Sequence, residues 1–121
     1  MKYMMFVVAD PSVEAEPNGG QQPDDGPTIY EWLDEVERGG KRITGDRLRP
    51  VSDATTVRVS KGEVLVSDGP FTESKEWIAG FDILECENLD EAIAIAARHP
   101  QARDGKLELR PFWPADADAD G

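Results

Sequence analysis

The chain opens with a run of apolar residues that does not alternate with polar ones. The run extends from Tyr3 to Ala9, contains Phe6, and stops at Asp10-Pro11. A half-exposed strand alternates apolar and polar residues, so an unbroken apolar run predicts a strand that is buried on both faces. The first strand must therefore lie between two layers, and any fold assigned to the chain has to supply both.

Two helices are indicated by their capping residues. Thr28 and Glu31 have the spacing of a capping box, and Gly39-Gly40 ends the first helix. Asn88 caps the second helix, with Glu91 at the capping-box position, and His99-Pro100 ends it. The apolar stripe predicted for the first helix is Ile29, Trp32, Leu33 and Val36. The inner face predicted for the second is Leu89, Ala92, Ile93, Ala96 and Ala97.

Further strands surround these helices. Residues 41–48 are predicted to form a short strand with Ile43 inward, broken by Gly45. Two alternating runs, 55–60 and 63–67, flank Lys61-Gly62 and predict a β-hairpin. Residues 78–86 and 106–112 supply the remaining strands. The order predicts an α+β fold, namely a ferredoxin-like βαββαβ sheet with an extra β-hairpin.

The predicted fold leaves one side of its sheet uncovered. Both helices of a ferredoxin-like unit lie on the same face of the sheet. The first strand needs cover on its second face as well, and a second copy of the chain is the simplest way to provide it. We therefore expect a homodimer whose sheets pack face to face.

Charge and composition narrow the classes of partner. A formal net charge of −12 repels phosphate backbones and anionic lipids, so we expect neither nucleic-acid nor membrane binding. The single cysteine, Cys86, and the absence of a signal-peptide pattern favour a cytoplasmic protein. One cysteine and one histidine are too few for a zinc site, and there is no phosphate-binding loop, so no cofactor is predicted.

Two segments differ in composition from the predicted domain, which spans residues 1–113. Residues 11–27 are rich in Pro, Gly, Gln and acidic residues and have no periodicity, which predicts a flexible insert. Residues 114–121 are predicted to be a disordered acidic tail, with aspartates at 116, 118 and 120. Both segments lie outside the predicted core.

Several motifs occur in an order that resembles a known family. They are Met1-Lys2-Tyr3-Met4, Gly45-Asp46-Arg47-Leu48-Arg49-Pro50, Asp68-Gly69-Pro70-Phe71-Thr72-Glu73-Ser74-Lys75-Glu76, Gly80-Phe81 and Arg110-Pro111. Together they resemble the DGPF branch of the YCII-related proteins. The resemblance implies a dimeric α/β barrel with no settled activity, and an association with extracytoplasmic-function sigma factors. Relatives proposed as enzymes have a His–Asp pair, but the first predicted helix of this chain contains no histidine.

The turn at residues 68–71 is the first candidate site. Asp68 is either a general base or ligand anchor, or a turn residue whose carboxylate accepts backbone N–H groups. Gly69 gives the turn a permissive backbone. Phe71 is either a wall of a ligand pocket or a core side chain beneath the turn. Each of the two readings remains open from the sequence alone.

Three other residues are candidates for a site. Lys75 and Arg47 would hold an anionic ligand, or else are exposed charges. His99 would titrate near neutrality and transfer protons, or else cap the second helix in its charged form. Cys86, by contrast, is expected to be an inert buried thiol.

Two functions of different classes are consistent with these residues. The first is an enzyme-like site for a small-molecule ligand, with Asp68 as base or anchor. The alternative is a non-catalytic accessory protein that binds another protein, in a sigma-factor-linked pathway. The fold itself does not decide between them.

Overall fold

The computed structural model describes residues 1–9, 26–69 and 77–114. The strands and helices of these described residues are β1 (Lys2–Ala9), α1 (Ile29–Arg38), β2 (Arg42–Arg47), β3 (Thr55–Ser60), β4 (Glu63–Asp68), β5 (Trp77–Glu85), α2 (Leu89–Arg98), α3 (Gln101–Asp104) and β6 (Lys106–Pro111). A 3₁₀ turn at Val51–Asp53 precedes β3. The predictions for Phe71 and Lys75, for most of the insert and for the acidic tail lie outside the described residues.

The main sheet has four antiparallel strands in the order β2-β5-β1-β6. Since β1 and β2 each pair antiparallel with β5, they run parallel to one another, and α1 makes the crossover between them. This order is compatible with the predicted ferredoxin-like fold, and the α+β class is confirmed. Strands β3 and β4 form a separate two-stranded sheet, the predicted hairpin. The dimeric barrel stays a prediction.

The two longer helices begin where their caps predict. At α1 the Thr28 hydroxyl accepts the N–H of Glu31 at 3.2 Å, and the Glu31 carboxylate accepts the N–H of Thr28 at 2.9 Å. At α2 the Asn88 side chain accepts the N–H of Glu91 at 2.9 Å. The Glu91 carboxylate, however, accepts the N–H of Glu87 and not that of Asn88. Both helices thus have satisfied N-termini, but only α1 has a complete capping box.

The hydrophobic core lies between these helices and one face of the main sheet. Its buried members are Tyr3, Met5, Trp32, Val36, Leu84, Cys86, Ala92 and Ala96. We call this side of the sheet the covered face. Burial also raises the pKa of the Cys86 thiol, as expected of an inert cysteine.

The predicted inner face of α2 is wrong at three positions. Leu89 and Ile93 are half-exposed and Ala97 is exposed, while Ile95 packs against the core. The stripe that faces inward continues from Ala92 and Ala96 through Ile95 to the buried His99. The small side chains of Ala92 and Ala96 lie at the centre of this stripe, while the larger Leu89 and Ile93 are turned outward.

We call the opposite side of the sheet the open face. Its apolar side chains are Met4, Phe6, Val8, Ile43, Ile78, Phe81 and Ile83. Paired residues share a face, and β1 pairs these side chains as Met4 with Ile83 and Phe6 with Phe81. The described hydrophobic core contains none of them. The prediction that Ile43 points inward is wrong, because the register of β2 shifts between Arg42 and Thr44 and leaves Ile43 51% exposed.

None of the helices in the described part of the chain has the length and apolar character needed to cross a lipid bilayer.

Candidate functional site

Cavities of about 260 to 640 Å³ are found at several places on the molecule, and one of them lies between α1 and the covered face. This helix–sheet cavity has a volume of about 540 Å³, within the range that small organic ligands occupy. Its apolar lining includes Val7, Ile29, Tyr30, Trp32 and Leu33. Its polar lining is Arg42, Asp46, Arg47, Asp82, His99 and Gln101.

A buried ion pair lies in this cavity. Asp82, in the middle of β5, is only 6% exposed, and Nε of Arg42 donates to its Oδ1 at 2.7 Å. A second nitrogen of Arg42, Nη1, reaches Glu37 of α1 at 2.9 Å. Burial raises the pKa of Asp82, although the hydrogen bond and charge of Arg42 oppose this. The guanidinium therefore ties α1, β2 and β5 together around one desolvated carboxylate.

Gly45 explains how the carboxylate can occupy this place. It pairs with Asp82 across the β2–β5 ladder. A Cβ atom at position 45 would collide with Oδ1 of Asp82 and with the carbonyl oxygen of Phe81. Only a glycine leaves this space to the ion pair, which gives a structural reason for the glycine that begins the Gly45-to-Pro50 motif.

His99 is the second buried polar residue of the cavity, at 6% exposure. The N–H of Gln101 donates to its Nδ1 at 3.0 Å, and its ring meets that of Trp32 edge-on, with centroids 4.7 Å apart. Burial, followed by the charge of Arg103, lowers the pKa of His99 to about 4. The imidazole is therefore neutral at neutral pH, and its proton lies on Nε2 because Nδ1 accepts a hydrogen bond.

This state differs from what the sequence led us to expect. We expected His99 either to titrate near neutrality or to be held in its charged form by the end of α2. His99 does cap α2, because its N–H donates to the carbonyl of Ala96 at 3.0 Å. Its pKa, which burial lowers to about 4, agrees neither with titration near neutrality nor with a charged imidazole. His99 in this state has a hydrogen-bond donor at Nε2.

Arg47, the last residue of β2, is an exposed cation at the rim of the helix–sheet cavity. Among the described residues it has no ion-pair partner, whereas Arg42 has two and the nearby Arg49 pairs with Asp53 at 2.9 Å. The structure thus brings Arg47 and His99, two of the candidates from the sequence, into one cavity. Both are hydrogen-bond donors.

Asp68 and Gly69 do not belong to the described lining of this cavity. Asp68 is exposed at the end of β4, paired with Thr55. Gly69 has a φ of 95°, the left-handed conformation that we expected a glycine to supply. Its N–H donates to the carbonyl of Ala54 at 2.7 Å, and its own carbonyl accepts the Thr56 hydroxyl at 2.7 Å. In the described residues this turn closes the base of the hairpin.

Sequence reasoning missed Asp82 and Arg42, although a signal was present. Asp82 lies between Phe81 and Ile83 and shares the inward direction of Leu84. An acidic residue at an inward position of an apolar strand implies a buried partner, because an unpaired charge there is costly. What the sequence did not reveal is that the partner would be Arg42, which turns inward only because of the register shift in β2.

Comparison with known proteins adds two findings. The sequence model of the YCII-related domain matches residues 1–116 of the chain. An uncharacterized protein of Rhizobium meliloti is 45% identical over 68 residues, which cover 54% of this chain and 55% of that protein. The chain therefore spans about half the length of this curated relative. The match to the domain includes every strand and helix described above.

Proposed function

The chain belongs to the YCII-related domain family, and within that family we propose that it binds a small organic anion in the helix–sheet cavity. The observation that carries the proposal is that two residues with N–H groups to donate, Arg47 and the neutral His99, line one cavity. A carboxylate is the simplest group that accepts from both. Placement in the DGPF branch rests on the motif resemblance.

The lining also indicates the body of the ligand. Trp32, Leu33 and Val7 form an apolar wall next to the polar groups. A volume near 540 Å³ accommodates a single ring or a short chain attached to a carboxylate. We therefore expect an aryl or short alkyl carboxylic acid and not a bare inorganic ion.

The state of His99 bears on what such a site would do. A neutral imidazole that donates from Nε2 polarises a carbonyl or carboxylate oxygen and does not remove a proton. Asp82 is held by Arg42 and contributes by orienting that guanidinium. We assign the anchoring role, one of the two alternatives for Asp68, to Arg47, because the described lining contains Arg47 and not Asp68.

Titration followed by ¹H–¹⁵N NMR tests the proposal, with benzoate and its neutral amide benzamide as probes. Benzoate is expected to shift the amide signals of Gly45, Asp82 and Gln101, and benzamide to bind at least about tenfold more weakly, because it lacks the charge. Arg47→Gln should weaken benzoate binding about tenfold or more. Arg49→Gln is the matched control, since it removes the same charge two residues away, outside the described lining.

Two outcomes contradict the proposal. One is that millimolar benzoate leaves the signals of the cavity unchanged, which would favour the accessory-protein alternative. The other is that Arg47→Gln and Arg49→Gln weaken binding equally, since this would mean that general charge and not the cavity attracts the anion.

A further inference from the structure

The hairpin carries an exposed apolar surface that the helix–sheet cavity does not use. Val57 pairs with Val66 and Val59 with Val64, so four valines form a two-by-two array on one side of β3 and β4. We call this array the valine face. Its members are 60%, 66%, 66% and 63% exposed in the order 57, 59, 64 and 66.

The described part of the chain does not explain such an array. In the described residues β3 and β4 pair only with each other, and two-stranded hairpins have little stability alone. Contiguous apolar side chains on an exposed surface mark an interaction site, whereas single ones do not. The array has the flat, β-branched character that packs well against a second β-surface.

Charges at the two ends of the valine face indicate what covers it. Asp68 pairs with Thr55, two residues beyond the valines, so it extends the same face at the base of the hairpin. Lys61 lies at the tip, in a turn where it has a φ of 52° and Gly62 a φ of 80°. The other charged residues of the hairpin, Arg58 and Glu63, lie on the opposite side. The valine face therefore has an anion at one end and a cation at the other, about 20 Å apart.

We propose that the valine face is an interface between two copies of this chain, packed hairpin against hairpin, with the tip of each over the base of the other. A two-fold axis perpendicular to the strands produces this arrangement and brings Lys61 of each copy near the partner's Asp68, so that the same contact forms twice. An axis along the strands would instead place tip over tip and put like charges together. Charge thus selects one of the two symmetric packings.

A second copy is a better occupant than an unrelated protein for two reasons. The array consists of one residue type, so it is complementary to itself when rotated, which an isologous interface requires. The chain as a whole has a net charge of −12, so two copies repel one another over most of their surfaces. The valine face, with one charge of each sign, is a region where this repulsion is small.

Sedimentation equilibrium of charge variants tests the pairing. Lys61→Glu puts two anions at each proposed contact, and Asp68→Lys puts two cations there, so each variant alone should associate at least about fivefold more weakly. An equimolar mixture of the two variants should recover association. In the mixed pair, one contact joins the glutamate introduced at position 61 to the lysine introduced at position 68, and the other joins the native Lys61 and Asp68.

The matched control is Arg58→Glu, which changes the net charge by the same amount as Lys61→Glu but on the opposite side of β3. It should leave association unchanged. Its mixed pair with Asp68→Lys keeps one repulsive contact, so that pair should be weaker than the one between Lys61→Glu and Asp68→Lys. The proposal is overturned if Lys61→Glu and Arg58→Glu behave alike, if the mixture of Lys61→Glu and Asp68→Lys remains as weak as its components, or if no variant changes association.

Discussion

The two faces of the main sheet are made from the same strands and differ almost entirely in their surroundings. On the covered face, Met5 and Leu84 are 0% exposed. On the open face, one residue along the same strands, Met4 and Ile83 are paired with each other and lie outside the described core. Hydrophobic residues are placed on both faces, but the described residues supply helices for one face only. The apolar pattern of a strand therefore shows whether one or both of its faces must be covered. It does not show whether the cover comes from the same chain or from another molecule.

The comparison extends to polar groups. The covered face holds Asp82, Arg42 and His99, whose environments burial has altered. On the open face, the charged positions of β6 alternate in sign and remain exposed, with Arg110 3.6 Å from Glu108. The helices that cover the core also remove water from the polar groups of the cavity. Burial shifts the pKa values of such groups, whereas groups exposed to solvent keep values close to their usual ones.

The largest expected effect comes from adjacent substitutions on β5. Leu84→Ala should lower the free energy of unfolding by about 2–5 kcal/mol, since it leaves a cavity in the described core. Ile83→Ala, on the open face, should cost about 1 kcal/mol or less in an isolated chain. Urea denaturation measures both.

The same pair tests the face-to-face homodimer that the sequence predicts for the open face, an interface separate from the valine face. If that dimer forms, the effect of Ile83→Ala should grow with protein concentration while that of Leu84→Ala remains the larger. An Ile83→Ala effect that is small at every concentration would argue against the dimer. Equal losses at low concentration would remove the distinction between the faces.

A second prediction concerns pH and the burial of His99. Its pKa is about 4 in the folded chain and near 6.5 when unfolded, so the unfolded state binds the proton first as pH falls. The contribution of the neutral His99 to the free energy of unfolding is therefore fully present above pH 6.5. It declines toward pH 4, by about 3 kcal/mol in total. Asp82, whose pKa burial raises, has the opposite sign and offsets part of this loss.

Urea unfolding of the wild type and of His99→Gln, each at pH 7 and at about pH 4.5, isolates the histidine. The lowered carboxylate pKa values of Glu35 and Glu91 affect both proteins equally and cancel in the difference. The variant should lose less stability on acidification than the wild type. A parallel loss would show that His99 is protonated in the folded chain.

The smallest of the three effects is expected at Gly45. Gly45→Ala places a methyl group against the Asp82 carboxylate and should cost about 1–3 kcal/mol, while displacing the Arg42 ion pair. Thr44→Ala, its exposed neighbour, should change stability by about 0.5 kcal/mol or less. NMR of the Arg42 Nε–H reports on the ion pair directly. If that signal is unchanged in Gly45→Ala, the space above Asp82 is not reserved for the carboxylate.

Much of the fold was predictable because its signals are local. Capping residues fixed the start of α1 and α2, alternation fixed the hairpin, and the element order indicated the ferredoxin-like arrangement. These features depend on residues a few positions apart, where sequence spacing and physical distance are closely related.

The candidate site was only partly predictable, because it depends on contacts between distant segments. Arg47 and His99 were chosen for their chemistry, but their common cavity is a property of the packing of α1 and α2. Asp82 meets Arg42 across 40 positions of sequence, through a register shift that has no marker in the residues themselves. The sequence led us to expect that the end of α2 would favour the charged form of His99, but its pKa is lowered. The position of His99 at the end of a helix did not reveal that its side chain is buried.

The hydrogen bond from the N–H of Gly69 to the carbonyl of Ala54 has a consequence for how this chain could have been assembled. It holds the two ends of the hairpin next to each other. Residues 55–68 therefore leave and return to the rest of the chain at nearly the same point. A segment inserted between neighbouring points adds little loop-closure entropy, and it can lengthen, shorten or change its surface while the surrounding sheet keeps its register. The proposed interface and the proposed ligand site lie in different stretches of sequence, so each can change without the other.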